Sequence, residues 1–188
     1  MAKFDSLIEK LARVFNRAKI PYIVRGGQAV LVYGEPRFTK DIDITIGVDT
    51  DKTAQILALV HTLHLEILPK DVEEFVKRTM VLPLTQEKTG IRVDIIFSFS
   101  PYERKALQRA QQFTVGKTKV RFASKEDTII QKLFAGRALD LDDVKGILKR
   151  SSEYDKRYIK RWLKEFSSVA GRDLVYEFEA IETTILKK

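Results

Sequence analysis

From Asp41 to Ile46 the chain reads Asp-Ile-Asp-Ile-Thr-Ile, with polar side chains at 41, 43 and 45 and isoleucine at 42, 44 and 46. A period of two belongs to a β-strand, whose successive side chains leave opposite faces. The segment is therefore a half-buried strand. Its isoleucines enter a core, and Asp41 and Asp43 stand on the other face with Cα atoms roughly 6.5 to 7 Å apart. A second run, Ile91-Arg92-Val93-Asp94-Ile95-Ile96-Phe97, also reads as a strand, with Asp94 facing away from Val93, Ile95 and Phe97. If the two strands are neighbours, three carboxylates converge on one patch of a sheet.

The flanking segments extend this into a mixed α/β (α+β) chain. Phe4, Leu7, Ile8, Leu11, Val14 and Phe15 recur at helical spacing. Tyr22-Ile23-Val24 is a short strand broken by Gly26-Gly27, and the stretch from Gln28 to Tyr33 is helical up to Gly34. A polar loop, Glu35 to Lys40, leads into the acidic strand. Helices are predicted over Asp51–His64, capped by Asp49 or Thr50, and over Asp71–Arg78. Strands follow at Thr79–Thr85 and Ile91–Phe97, then a short helix from Pro101 and strands at Phe113–Val115 and Val120–Phe122. Ser124 with Asp127 reads as a capping box, and everything after it is helical, in segments opening at Lys125, Asp140, Asp155 and Arg172. The expected organisation is a core over 1–123 with a small mixed sheet flanked by helices, and a C-terminal helical region over 124–188 packed on it.

Composition narrows the chemistry. With 44% hydrophobic residues in 188, the chain can build a core. There is no cysteine, which removes disulfides and thiolate metal sites and fits a reducing cytoplasm. His61 and His64 are the only imidazoles and are taken as surface or core residues, so triad and histidine–zinc chemistry have little material. No apolar run approaches the roughly 20 residues that span a bilayer, and no signal-peptide pattern opens the chain, so no membrane partner is expected. Carboxylates are abundant, which favours hard-cation chemistry.

Three carboxylates a few ångströms apart repel by several kcal/mol at an effective dielectric constant of about 20, unless protons, basic groups or a cation intervene. Divalent magnesium is the natural solution, and two ions about 4 Å apart would orient a triphosphate and activate a hydroxyl. The competing reading is a solvated strand face whose acids pair with Lys40, Arg25 or Arg37. Gly26-Gly27 favours the first reading, because it stands between a strand and a helix, where bare backbone N–H groups can approach phosphate. A tight turn without a ligand is its plain alternative. The spacing is not that of a dinucleotide-binding G-x-G-x-x-G, and no G-x-x-x-x-G-K-[ST] element is present.

Strand, Gly-Gly, helix, loop, Asp-Ile-Asp on the next strand and a later lone Asp on a strand is an order that resembles the polymerase β-type nucleotidyltransferases. The resemblance rests on Gly26-Gly27-Gln28-Ala29-Val30, on Arg37-Phe38-Thr39-Lys40-Asp41-Ile42-Asp43-Ile44 and on Val93-Asp94-Ile95-Ile96. The Arg-x-Thr-x-Asp-x-Asp form looks most like the AbiEii branch, which includes toxins of toxin–antitoxin pairs. Lys132-Leu133 and Arg137-Ala138-Leu139-Asp140-Leu141-Asp142-Asp143 resemble that branch's helical Lys…Arg-x-x-Asp-x-x-Asp segment. The resemblance implies a Mg²⁺-dependent transfer of a nucleoside monophosphate from an NTP to a hydroxyl. Asp41 and Asp43 would hold the metals, with Asp94 as the third carboxylate. Gly26, Gly27 and Gln28 would face the nucleotide phosphates, and Lys132 and Arg137 the triphosphate or substrate. Arg37, Thr39, Asp140 and Asp143 would support them. Two departures stand out: Gly27 occupies a position where many relatives carry a phosphate-holding serine, and Leu139 replaces a basic residue. For the helical segment, simple ion pairing is the alternative reading.

The formal charge of +8 is concentrated in two places. Seven basic residues face one acid between Pro101 and Lys125, and eight face two acids between Lys145 and Lys164. Lys156, Arg157, Lys160, Arg161 and Lys164 share one helix side, which with Arg104, Lys105, Arg109, Lys117, Lys119 and Arg121 suggests a track for a phosphate backbone, though a solvated face is the plainer reading. The acceptor expected on this ground is RNA, tRNA in particular, with an antitoxin protein as a further partner. The rival functions are a catalytically silent nucleotide- or RNA-binding protein of the same fold and an antibiotic-modifying nucleotidyltransferase.

Overall fold

The computed structural model describes residues 2–151 and 153–186. Contacts gather the chain into two compact units, Met1–Gln28 with Thr39–Ala123, and Ala29–Phe38 with Ser124–Lys188.

In the first unit, α1 (Ala2–Arg17) leads to β1 (Tyr22–Arg25), and α2 (Gly26–Tyr33) begins directly at the glycine pair. After the loop come β2 (Asp41–Ile46), a 3₁₀ turn (Thr50–Lys52), α3 (Thr53–His61), β3 (Leu65–Ile67), α4 (Val72–Thr79), β4 (Val81–Gln86) and β5 (Ile91–Phe97). The unit closes with α5 (Pro101–Gln108) and the hairpin of β6 (Gln111–Val115) and β7 (Thr118–Phe122). Among the described residues the sheet has seven strands in the order β3-β4-β5-β2-β1-β7-β6. The pairs β2–β5 and β1–β7 are parallel, and the other neighbours are antiparallel.

The alternation of β2 has the expected effect. Ile42, Ile44 and Ile46 are fully buried, as are Val93, Ile95 and Phe97 of β5 and Leu82 and Leu84 of β4. The opposite face carries Asp41, Asp43 and Thr45. Helix α5 opens with a true capping box: Ser100 accepts from the Glu103 N–H while Glu103 accepts from the Ser100 N–H. At Ser124 only half of such a box forms. Its hydroxyl accepts from the Asp127 N–H, whereas the Asp127 carboxylate accepts from the hydroxyls of Ser124 and Tyr158.

Several predicted bounds shift by one or two residues, with Thr79 ending α4 rather than opening a strand, and one element differs more. The helix expected over Asp51–His64 starts as a 3₁₀ turn without a side-chain cap at Asp49, and ends at His61. His64 takes a left-handed φ of 55°, and Leu65–Ile67 then pairs with Leu84–Gln86 as an edge strand. Three residues are too few to show a period of their own.

The second unit is helical: the end of α2, then α6 (Lys125–Ala135), α7 (Ala138–Arg150), α8 (Lys156–Ala170) and α9 (Leu174–Leu186). Gly136 and Gly171 terminate α6 and α8 in the left-handed conformation. Its core includes Ile129, Ile130, Leu133, Val144, Ile147, Leu163 and Phe178. Among the described residues no helix is long and apolar enough to cross a membrane.

Candidate active site

Strand register places the three acids. In the parallel pair β2–β5, Asp43 lies opposite Asp94 and Asp41 opposite Arg92. Registered residues on neighbouring strands point to the same face, so Asp41, Asp43 and Asp94 share one side of the sheet. Arg25 of β1, opposite Asp43, shares it too and donates to Thr45 Oγ1 at 3.3 Å. Asp41 is exposed, and Asp43 and Asp94 are half-buried. The Asp94 carboxylate accepts from Arg92 Nε at 3.1 Å. Among the described residues no three acidic or histidine side chains are gathered closely enough to hold an ion as they stand. The shared face and the hard oxygen donors nonetheless suit a divalent cation, with Asp43 and Asp94 on strands about 4.8 Å apart.

The glycine turn is built against this face. Gly26 has φ +63°, and a Cβ there would lie 2.0 Å from Asp43 Oδ2. Glycine takes that backbone conformation at no steric cost and leaves room for the carboxylate. Gln28 is buried, and its amide makes a long 3.5 Å contact with the Asp41 carbonyl, to which the Thr39 hydroxyl also donates at 3.4 Å. Both side chains thus bear on the backbone where β2 begins.

The remaining expected residues meet in the second unit. Lys132 is buried, and its Nζ lies 2.7 Å from Asp140 Oδ1 and 2.9 Å from Asp143 Oδ2. Arg37 holds Asp143 from the other side through two bonds of 2.6 and 2.8 Å. Arg137, with a side chain 77% exposed, donates to Asp140 at 2.6 and 3.2 Å. The result is a continuous chain Arg37–Asp143–Lys132–Asp140–Arg137. Burial pushes the Asp140 carboxyl up, but hydrogen bonds from Arg137 and Lys132 outweigh it and hold the group below the ordinary range. Arg37 is thereby committed to Asp143.

The sequence matches the family model described as "Nucleotidyl transferase AbiEii toxin, Type IV TA system" over residues 9–185. The chain belongs to the AbiEii family. It is a nucleotidyltransferase. No curated protein matches it. Solved structures share its fold at low identity. An antigenic nucleotidyltransferase-like protein from Paracoccidioides brasiliensis has a TM-score of 0.61 at 16% identity, covering 94% of this chain and 92% of that one. The lincosamide antibiotic adenylyltransferase LnuA has 0.55 at 17%, covering 78% and 97%. The antibiotic-resistance factor ANT(2″)-Ia has 0.55 at 15%, covering 99% and 92%.

Seen on this AbiEii chain, the basic residues of the helical unit are largely engaged. Lys156 pairs with Glu182 and Lys160 with Glu179 between α8 and α9, while Arg161 reaches Glu165 and lies over the Trp162 ring. Arg92 is the neighbour of the acids that the sequence reading does not single out. Its signal is parity: two residues before Asp94 on one strand, it must share that face.

Proposed function

We propose that this AbiEii nucleotidyltransferase moves a nucleoside monophosphate from an NTP to a hydroxyl-bearing acceptor, RNA foremost, with Mg²⁺ held by Asp41, Asp43 and Asp94. The observation that carries the reading is the register Asp43↔Asp94 on adjacent parallel strands, with Asp41 on the same face and Gly26 packed against Asp43. Magnesium, when bound there, supplies charge neutralisation at the triphosphate and the attacking oxygen. Asp41 and Asp43 anchor the cation. Asp94 aligns the acceptor hydroxyl and takes its proton as the oxygen attacks the α-phosphorus and pyrophosphate leaves. Gly26 and Gly27 present backbone N–H groups to phosphate in place of a serine hydroxyl. Gln28 and Thr39 position Asp41 through its backbone. Arg92, released from Asp94, is suited to a phosphate oxygen.

Within the helical unit we assign substrate contact to Arg137, whose side chain is exposed, and a positioning role to Lys132, Asp140, Asp143 and Arg37. The +8 charge supports RNA over a cationic drug, although LnuA and ANT(2″)-Ia act in antibiotic modification or resistance. The toxin in the family description supports a role as the toxin-like half of a toxin–antitoxin pair, with an antitoxin as partner.

The test is incubation with each α-labelled or γ-labelled NTP, Mg²⁺, and total RNA, protein or candidate antibiotics. Label from the α-phosphate is expected on RNA, only with Mg²⁺, and none from the γ-phosphate. Transfer to an antibiotic or protein alone would refute the RNA assignment, and γ-label transfer would refute the reaction.

A further inference from the structure

A separate cavity lies at the other end of the same sheet. Asp41 begins β2, whereas this cavity opens where β1 starts and where β2 and β5 end, near Pro21, Gly47 and Ser98. Its volume is about 400 Å³, and all of its lining residues belong to the first unit. That size falls within the roughly 300–1,000 Å³ of small-ligand sites.

Its wall is mostly apolar, with Pro21, Val48 and Leu107, and carries a few hydrogen-bond donors. Arg121 of β7 is fixed there by a terminal nitrogen that donates to the Leu107 carbonyl at 3.0 Å. Its Nε is buried and has no hydrogen-bond partner among the described residues. A guanidinium N–H shut away from solvent without an acceptor is costly, and Arg121 holds that charged group beside the cavity. Arg104 and Gln108 are one helical turn apart on α5, both exposed and both on this cavity. Ser98 adds a hydroxyl, and Asp49 is the one acid among the lining residues. Two guanidinium groups, an amide and a hydroxyl against a single carboxylate specify an anion. A phosphoryl group offers such a donor set three charged oxygens, against two in a carboxylate. Asp49 is then suited to a hydroxyl on the rest of the ligand.

We propose that this cavity binds a small phosphomonoester, a phosphorylated sugar or nucleoside monophosphate, through Arg104 and Arg121, at a site distinct from the carboxylate face. The proposal does not depend on the nucleotidyl-transfer mechanism above. It also gives two of the unassigned basic residues between Pro101 and Lys125 a use other than a nucleic-acid track.

The test is ¹H–¹⁵N spectroscopy of the arginine Nε–H groups in the full ¹⁵N-labelled chain, titrated with inorganic phosphate, ribose 5-phosphate, AMP and a short RNA. The Arg121 signal, assigned by its loss in Arg121→Lys, is expected to shift saturably with phosphate and with the phosphomonoesters at millimolar levels. Arg104→Ala, an exposed change that leaves the Arg121–Leu107 anchor in place, is expected to weaken binding by about tenfold or more. Asp41→Ala with Asp43→Ala should leave the titration unchanged, which separates this site from the proposed catalytic one. Four results would overturn the proposal: no saturable shift, a shift insensitive to Arg104→Ala, binding abolished by the double aspartate change, or a response to RNA alone.

Discussion

Two glycines isolate what Gly26 contributes. Gly26 and Gly90 both take positive φ, +63° and +67°, so alanine meets backbone strain at either. At Gly90 nothing among the described residues lies within 4 Å of the added Cβ, whereas at Gly26 it would meet Asp43 Oδ2 at 2.0 Å. Gly90→Ala should therefore cost about 1 kcal/mol in denaturant unfolding and leave transfer intact. Gly26→Ala should cost more and abolish transfer, because Asp43 must give way. Equal effects on activity would contradict the packing of Gly26 on Asp43. The pairing of glycine turn and acid pair was legible in the sequence as an order of elements. Their contact was not, since nothing local states that Gly26 and Asp43 meet across an antiparallel strand pair.

Among the elements, α6 and α7 are tied by a lysine that has no water to turn to. Lys132→Met keeps the bulk and removes the charge, leaving Asp140 and Asp143 with one guanidinium each. The expected loss is about 3 kcal/mol by urea unfolding, and a loss below about 0.5 kcal/mol would show the pairs to be dispensable. The pH dependence has a definite direction. Because Asp140 is held below its unfolded value of about 3.9, it contributes stability that is present above that pH and lost as pH falls through its lower folded value. Without Lys132, burial is less opposed, Asp140 titrates higher, and acid unfolding should begin at a higher pH in Lys132→Met. The sequence showed Lys132, Arg137, Asp140 and Asp143 at helical spacing, where ion pairing and substrate contact read alike. Burial separates them: Lys132 is 6% exposed, while Arg137 projects outward. The strand Leu65–Ile67 was illegible for a different reason, since its identity comes from hydrogen bonds to β4, about twenty residues away, and not from its own pattern.

On the scale of the whole molecule, the fold divides differently from the chain. The segment Ala29–Phe38, which carries the buried Ala29 and Val30 and the Arg37 that grips Asp143, belongs with the helices after Ser124. Sequence order alone groups it with the strands around it, because that reading has no access to contacts over a hundred residues away. A chain cut after Ala123 is accordingly expected to be cleaved by protease within 29–38 far faster than the full chain. Equal resistance would mean that this segment is held without its helical partners. Net charge belongs to the same scale, and ion pairs between α8 and α9 already occupy part of it. The central claim, that Asp41, Asp43 and Asp94 form the catalytic face, is tested most directly by α-labelled NTP transfer in Asp41→Ala with Asp43→Ala and, separately, in Asp94→Asn, each checked by circular dichroism for retained fold. Transfer should drop by about a thousandfold or more in both folded variants. Label transfer at the wild-type rate in either one would place the chemistry elsewhere on the molecule.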